Sequence, residues 1–445
     1  MTISSSTKYI DTGISWIGTI PSDWQMVSLK SIAWVILGKM RQDKPASKED
    51  TLEKYLCAKD VHLDGINWYE PKEMYFSPKE KRALLVKDGD LLIVEGGAGA
   101  GGAYVAKNPT TENFYVQNSI NIVRAHKCVL PQYLYYWVNK LVTNGYVEVA
   151  CNVATIPHFT KEKVSSIQIP LPSLDVQQRI VSYLDSHILS IDKRMSLLET
   201  KRNLYLRLKT AIINRVVTQG LNPDVKMKDS GVEWISMIPE HWEITRILET
   251  ARRSITAFID GDWIETPDIA DEGIRYITSG NVGALTYKEQ GAGFISEETF
   301  EALHCTEVFP GDLLISRLNP PIGRTCIVPD LGTRIVTCVD NVIYRPNLNK
   351  FDKQFLVYLM NCQYYSDYVT NLGRGATMKR VSRSQLAKIK IIVPPLTEQH
   401  AISTYLDEKC AKIDAIIENL NQQIDKHKLL KRALINEVIT GQRAV

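Results

Sequence analysis

Cysteine is sparse and unpatterned in this chain, with eight among 445 residues and no Cys-x-x-Cys pair. That spacing argues against a disulfide framework and against a zinc site of the common kinds, and it fits a reducing cytoplasm. Long apolar runs are missing too. No stretch reaches the roughly 18 apolar residues of a membrane-spanning helix, and Met1-Thr2-Ile3-Ser4-Ser5-Ser6 lacks the charged and apolar regions of a secretory leader, so a cytoplasmic location is expected. An excess of one charge is absent as well, since 53 basic residues face 50 acidic ones for a net +3. Such a balance permits nucleic-acid binding without demanding it, and any case must rest on local clustering. The eight histidines fall into no His-Glu-x-x-His, Ser-His-Asp or paired-carboxylate pattern. His62, His126, His158 and His304 read as surface or loop residues, and neither a catalytic nor a metal centre is expected. What remains is an ordinary globular composition, 44% hydrophobic and 23% charged, on a chain too long for one core.

The sequence is written twice. Asp11-Thr12-Gly13-Ile14-Ser15-Trp16-Ile17-Gly18-Thr19-Ile20-Pro21-Ser22-Asp23-Trp24 returns 218 residues later (229 minus 11) as Asp229-Ser230-Gly231-Val232-Glu233-Trp234-Ile235-Ser236-Met237-Ile238-Pro239-Glu240-His241-Trp242. Gly89-Asp90-Leu91-Leu92-Ile93 returns 222 residues later (311 minus 89) as Gly311-Asp312-Leu313-Leu314-Ile315. The same shift of 222 relates Tyr133-Leu134-Tyr135-Tyr136 to Phe355-Leu356-Val357-Tyr358, and Tyr183-Leu184-Asp185 to Tyr405-Leu406-Asp407. It also relates Ile191-Asp192 to Ile413-Asp414, and Leu208-Lys209-Thr210-Ala211-Ile212-Ile213-Asn214 to Leu430-Lys431-Arg432-Ala433-Leu434-Ile435-Asn436. Each half is a variable module followed by a stretch that tolerates no insertion, as a helix of fixed register would be.

Residues Gln177 to Thr218 hold no proline or glycine, while Pro170 and Pro172 stop any helix just before them. Leu184, Ile191, Leu198, Tyr205 and Ile212 recur every seventh place, with Ile188, Met195, Leu208 and Val216 as a second row. That is a coiled-coil seam. The second copy supplies Leu406, Ile413, Leu420 and Leu434, with His427 interrupting the row. A globular module lies between the two helices, so antiparallel pairing is expected. The modules mix short strand-like runs, such as Leu91–Val94 and Ile389–Val393, with glycine-bearing turns and read as α/β or α+β.

Two motifs suggest chemistry and dissolve under the repeat. Asn319-Pro320-Pro321-Ile322 resembles the Asn-Pro-Pro-aromatic signature of amino-methylating DNA methyltransferases, but Ile322 offers no stacking face. The shift of 222 sets Asn319 over Gly97 and Gly323 over Gly101, and a catalytic motif would not give way to glycine in a duplicated site. The run Gly96-Gly97-Ala98-Gly99-Ala100-Gly101-Gly102 lacks the helix that a phosphate-cradling loop needs, because Ala103-Tyr104-Val105-Ala106 reads as another strand. A tight β-turn loop approached closely by a partner is expected there.

Basic residues cluster in Gly373-Arg374-Gly375-Ala376-Thr377-Met378-Lys379-Arg380-Val381-Ser382-Arg383, which carries four bases and no acid. Glycines and a hydroxyl among bases suit phosphate contact from a loop. The matching stretch of the first module, Asn152 to Lys161, keeps Ala154-Thr155 but little charge. Lys39, Arg41, Lys44 and Lys48 form another basic stretch. Arg317 and Arg324 flank the proline loop as forked donors suited to a guanine edge, where the first module has Glu95 and Gly102. Different residues at equivalent loop positions are what two modules reading different sequences need.

These features together resemble the specificity subunit of a type I restriction–modification system, over essentially all 445 residues. The resemblance is carried by Trp-Ile-Gly-x-Ile-Pro-x-x-Trp (Trp16 to Trp24) and its repeat at Trp234 to Trp242, by Gly-Asp-Leu-Leu-Ile-Ser-Arg (Gly311 to Arg317), and by Pro-Leu-x-Glu-Gln (Pro395 to Gln399). Departures are Leu174-Asp175-Val176-Gln177, where Leu-x-Glu-Gln is usual, and Asn319-Pro320-Pro321 in place of the usual Ser-Gly run. The resemblance implies two target-recognition domains separated by a pair of long antiparallel coiled-coil helices, each domain reading one half of an asymmetric split site in double-stranded DNA while the helices set the spacer. It implies two modification subunits that supply S-adenosylmethionine and methylate adenine N6, joined by restriction subunits that use ATP and Mg. This chain itself would hold no cofactor.

The expected organisation is an opening segment at 1–24, a first recognition domain at 25–173, a first long helix at 174–220, a linker with the repeated Trp/Pro segment at 221–242, a second recognition domain at 243–395 and a second long helix at 396–445. Expected DNA contacts are Lys39, Arg41, Lys44, Glu95, Gly97, Gly99, Thr155, His158 and Lys161 in the first module. In the second they are Ser279, Asn281, Arg317, Asn319, Arg324, Arg374, Thr377, Lys379, Arg380 and Arg383. Two other classes compete: a methyltransferase with its own S-adenosylmethionine site, and a repeat scaffold for protein partners alone.

Overall fold

The computed structural model describes residues 8–97, 99–151, 158–291, 293–375 and 378–445. The chain divides into two compact units, Met1–Glu199 with Gln422–Val445, and Thr200–Asn421. No helix among the described residues is long and apolar enough to cross a membrane.

In the first unit the apolar run Leu91–Val94 lies inside a four-stranded antiparallel sheet. The strand order is Ala103–Val105, Leu91–Val94, Ile120–Ala125, Ala33–Leu37. Side chains alternate across a sheet, and here both faces are covered. Leu91 and Ile93 join a core with Tyr133 and Trp137, from the helix Pro131–Thr143. Leu92 and Val94 join another with Met74, Phe76 and Phe114. Burial on both faces is why this strand is a continuous apolar run rather than an alternating one. A three-stranded sheet, Tyr115–Val116, Thr51–Leu56 and Lys72–Phe76, completes the module, with its first pair parallel and its second antiparallel.

The second unit repeats this plan strand for strand. Its four-stranded sheet runs Thr325–Ile327, Leu313–Ser316, Asn341–Tyr344, Phe258–Asp260, and its three-stranded sheet Ile335–Thr337, Ile274–Ile277, Phe294–Ile295. The module helix here is Lys353–Asn361, capped by the Asp352 carboxylate, which accepts from the Phe355 N–H at 2.7 Å. The fold is thus α/β (α+β) with an internal repeat.

Two long helices, Leu174–Gln219 and Leu396–Ile439, carry the repeated motifs. In the first unit Ile180, Leu184 and Ile191 share a core with Leu434, Ile435, Val438 and Ile439. Arg179 donates to the Val445 carbonyl at 2.9 Å, and Asp192 pairs with Lys431 at 2.7 Å, so the two segments run antiparallel there. In the second unit Ile213, Val216 and Val217 share a core with Ile402, Leu406 and Cys410, and Lys209 pairs with Asp414 at 2.6 Å. The two ion pairs are the same pair, each residue of one being 222 positions from its counterpart in the other (431 minus 209; 414 minus 192).

The other repeated residues bind helix to module. The Gln177 side-chain amide donates to the Cys128 and Pro172 carbonyls, at 3.1 and 2.9 Å, and its oxygen accepts from the Leu130 N–H at 2.9 Å. Gln399 does the same with the Lys350 and Pro394 carbonyls and the Asp352 N–H. Asp185 accepts the Tyr136 hydroxyl and Asp407 that of Tyr358. Each helix then ends at a glycine in the left-handed region, Gly220 (φ +76) against Trp242 and Gly441 (φ +72) against Trp24. That contact accounts for the second tryptophan of each repeated motif, Trp24 and Trp242.

The seam departs from expectation at Leu208, which is 46% exposed. A straight helix of 3.6 residues per turn drifts off a strict heptad; the row is buried again at Val216, as expected, and Ile213 and Val217 join it.

Gln399→Leu keeps the size of the side chain and leaves three backbone groups unpaired in the helix–module joint. At roughly 1–3 kcal/mol per buried unsatisfied group, we expect the second unit to lose at least about 2 kcal/mol. Denaturant unfolding of the full chain tests this, and a change below about 0.5 kcal/mol would show the joint to be held by packing alone.

Candidate nucleic-acid interface

In the second module the sheet strand Leu313–Ser316 ends at Arg317, which is only 7% exposed. Its guanidinium donates to the Val381 and Val339 carbonyls and lies 3.2 Å from Asp260. The chain then turns through Asn319 (φ +55) and the two prolines to Arg324. Arg324 reaches five carbonyl oxygens, those of Ser279, Val282, Leu318, Asn319 and Pro321, at 2.7–3.1 Å. Burial pulls its guanidinium below the ordinary arginine value. The turn at Ser279 is itself organised by buried Asn281, whose oxygen accepts from Thr278 and whose amide donates to the Lys288 and Gln290 carbonyls.

Against this loop lies the basic segment. Arg374 and Arg380 exchange backbone N–H···O bonds of 3.0 and 2.9 Å, Asn319 N–H donates to the Lys379 carbonyl at 3.0 Å, and Val381 N–H to the Arg317 carbonyl at 3.1 Å. Segments near 280, 320 and 375 in the sequence are thereby brought to one face. Two acids from elsewhere temper the charge: Asp340 holds Arg380 at 2.6 Å, and Asp260 lies 3.3 Å from Arg383. Arg374 and Lys379 are exposed and have no carboxylate partner among the described residues. Nothing in the sequence announces Asp260 and Asp340, which lie more than 30 residues from the arginines they hold (380 minus 340; 383 minus 260).

The first module builds the same frame and fills it differently. Gly96 bridges His158 as Leu318 bridges Arg380, again 222 residues apart, and Phe159 N–H donates to the Glu95 carbonyl at 2.6 Å. Gly97, Gly99, Gly101 and Gly102 lie between strands Leu91–Val94 and Ala103–Val105, where Gly101 N–H donates to the Val94 carbonyl at 2.9 Å and Gly102 N–H to that of Gly99 at 2.9 Å. No helix follows, which disfavours a nucleotide-type cradle. The Glu95 carboxyl is half-buried, and burial raises it above the ordinary glutamate value, Glu162 adding to the rise while His158 and Asn121 oppose it. His158, Lys161 and Lys44 are exposed, and Arg41 pairs with Asp43 at 2.7 Å on the surface.

Several expected contacts are therefore framework. Lys39 is held 2.5 Å from Glu80 and over the Phe76 ring, and Arg317, Arg324 and Asn281 have their polar groups engaged inside the module. Arg317 and Arg324, read from the sequence as forked donors suited to a guanine edge, turn their guanidiniums onto carbonyls of their own module. Ile322 is fully buried and gives a base no surface. Asn319, Arg374, Lys379, Arg380, Gly97, Gly99 and His158 belong to the loops that the frame presents, and Lys161 opens the short helix Lys161–Ser166 that follows. Thr155 and Thr377 lie outside the described residues.

A duplicated module whose frame is kept and whose loops differ defines a class of paired recognition domains. Residues 21–200 and 240–426 match the type I restriction modification DNA specificity domain, and the chain belongs to that family. It is a DNA-specificity chain rather than an enzyme. The specificity subunit of the type I restriction enzyme MjaVIII from Methanocaldococcus jannaschii is 24% identical over 434 residues, covering 95% of this chain and 93% of its own. That of EcoDI from Escherichia coli is 20% identical over 444 residues, covering 96% and 90%. The fold matches a chain solved in work on complex assembly and conformational transition of the type I R-M system, with a TM-score of 0.71, 18% identity and coverage of 94% and 98%. It also matches the HsdS subunit from Thermoanaerobacter tengcongensis, at 0.50, 18%, 95% and 98%.

The raised Glu95 carboxyl gives a signed prediction. Between the ordinary value of 4.5 and its raised value the folded state holds the proton more tightly than the unfolded chain, so stability falls as pH climbs through that window and stays lower above it. Glu95→Gln removes this loss. The variant should melt higher than the parent at neutral pH, and its advantage should shrink as pH drops through the same window. An advantage that does not change with pH would show that the carboxyl is not the cause.

Proposed function

We propose that each module reads one half of an asymmetric, split site in double-stranded DNA, and that the long helices set the spacer between the halves. In this reading two modification subunits bring S-adenosylmethionine and methylate adenine N6 at the chosen site, and restriction subunits bring ATP, Mg and cleavage. This chain contributes selection alone. The observation that carries the proposal is the shared frame with exchanged contents: Asn319 and Arg380 on one module stand where Gly97 and His158 stand on the other, both at the shift of 222. Two copies of one scaffold with different polar groups at the same addresses are suited to two different half-sites. The exposed bases suit phosphates, which position a protein without specifying sequence.

Selection from random duplexes by the chain assembled with its modification subunits should enrich a bipartite, non-palindromic sequence of fixed spacing. Enrichment of nothing would favour a protein scaffold. Within that assay, changing Lys379 and Arg380 to alanine should weaken cognate and random duplexes alike and lower the salt slope by about one to two, near 0.9 per phosphate contact. An unchanged slope would remove the basic segment from the backbone contacts.

A further inference from the structure

Each module also exposes one large apolar side chain at the same address. In the first, the sheet strand Ala33–Leu37 is followed by Gly38, Lys39 and Met40; in the second, Phe258–Asp260 is followed by Gly261, Asp262 and Trp263. The equivalence is set by hydrogen bonds. Gly38 N–H donates to the Ile120 carbonyl and Lys39 N–H to that of Val116, as Gly261 does to Asn341 and Asp262 to Thr337, all at 2.9–3.1 Å. Lys39 bridges Gln117 in parallel, and Asp262 bridges Cys338 in the same sense. Both glycines are obligatory by close approach. An added Cβ would lie 2.2 Å from the Gln117 carbonyl oxygen at Gly38, and 2.4 Å from that of Cys338 at Gly261.

The backbone is thus pinned one step before a side chain that faces solvent. Met40 is 75% exposed and Trp263 64%. Single exposed apolar residues are common and need no explanation, but two at one repeated and pinned address do. The Trp263 indole is further oriented by its N–H, which donates to Glu265 at 2.9 Å.

The address adjoins the presented loops. Trp263 follows three residues after Asp260, the carboxylate beside Arg317 and Arg383, and its pinned backbone rests on the 337–341 turn, whose Asp340 holds Arg380. In the first module the 117–119 turn that pins Lys39 also takes the Glu95 N–H on the Ser119 carbonyl, and Arg41 and Lys44 follow Met40 directly. An apolar group beside exposed cations matches the surface of DNA, where charged phosphates border apolar base faces and thymine methyl groups.

We infer that Met40 and Trp263 are paired apolar base contacts, one per module, each supplying its half-site with selectivity that the basic residues cannot. This rests on the proposed reading of DNA by both modules, and the experiment separates the two. The full chain with its modification subunits first selects its site from random duplexes; if the parent enriches none, the proposed function itself fails. Given a selected site, Trp263→Ala should weaken binding to it about tenfold, as expected for loss of one aromatic base contact. Affinity for random duplex and the salt slope should both stay unchanged. Trp263→Phe should recover most of the loss, and Met40→Ala should relax preference at the other half-site only. Equal weakening on cognate and random DNA, or no weakening at all, overturns the inference. So does loss of the modification subunits from purified Trp263→Ala complex, which would make this address a protein contact.

Discussion

Each module's core is closed by a helix end drawn from a distant part of the sequence, and the rest of the structure depends on that closure. Leu434 to Ile439, nearly the last residues of the chain, complete a core that begins at Ile17. Ile213 to Val217 complete the core of the second module together with the start of the other long helix. Removing a buried leucine from such a core costs about 2–5 kcal/mol, so neither module's stability is separable from the helices. The polar joint makes the closure specific. Gln177 and Gln399 satisfy buried backbone groups, Asp185 and Asp407 receive tyrosine hydroxyls, and the two Lys–Asp pairs meet across the helices. A one-residue slip would leave all of these groups unpaired at once, which is why the shift stays at 222 through the joint, from Tyr133 and Phe355 to Asn214 and Asn436.

The helices were legible in the sequence because their periodicity repeats the physics of packing. Leu184, Ile191, Leu406, Ile413, Leu420 and Leu434 are buried as the heptad row predicts. Leu208 is not, since a fixed seven-residue ruler ignores the drift of a straight helix. The repeat revealed which residues matter at the joint but not what they do. Gln399 reads as part of a motif, and only the fold shows its amide bridging the Lys350 and Pro394 carbonyls.

The candidate interface was legible as a set of loops and illegible as a set of side chains. An arginine in a glycine-bearing loop looks like a donor aimed at DNA, whether it is Arg374, which is exposed, or Arg324, which clasps five carbonyls of its own module. The difference lies in contacts 40 residues away in sequence, such as that from Arg324 to Ser279 and Val282. Charge counting along the sequence misses partners of the same distant kind. The segment Arg374 to Arg383 holds no acid of its own, yet Asp260 and Asp340 arrive from other strands.

This division of labour bears on how such a chain can change what it reads. Arg317, Arg324 and Asn281 donate to backbone carbonyls within the module, so replacing any of them would leave those carbonyls unpaired, at roughly 1–3 kcal/mol for each one that is buried. Arg374 and Lys379 present exposed side chains on that frame, and surface substitutions away from special features usually alter stability by no more than about 0.5 kcal/mol. The two modules illustrate the outcome, since Leu318–Arg380 and Gly96–His158 form the same bridge with unrelated side chains. The backbone bonds hold the loops in place whatever the loops display, and their exposed side chains can be exchanged without disturbing the joint that keeps each module folded.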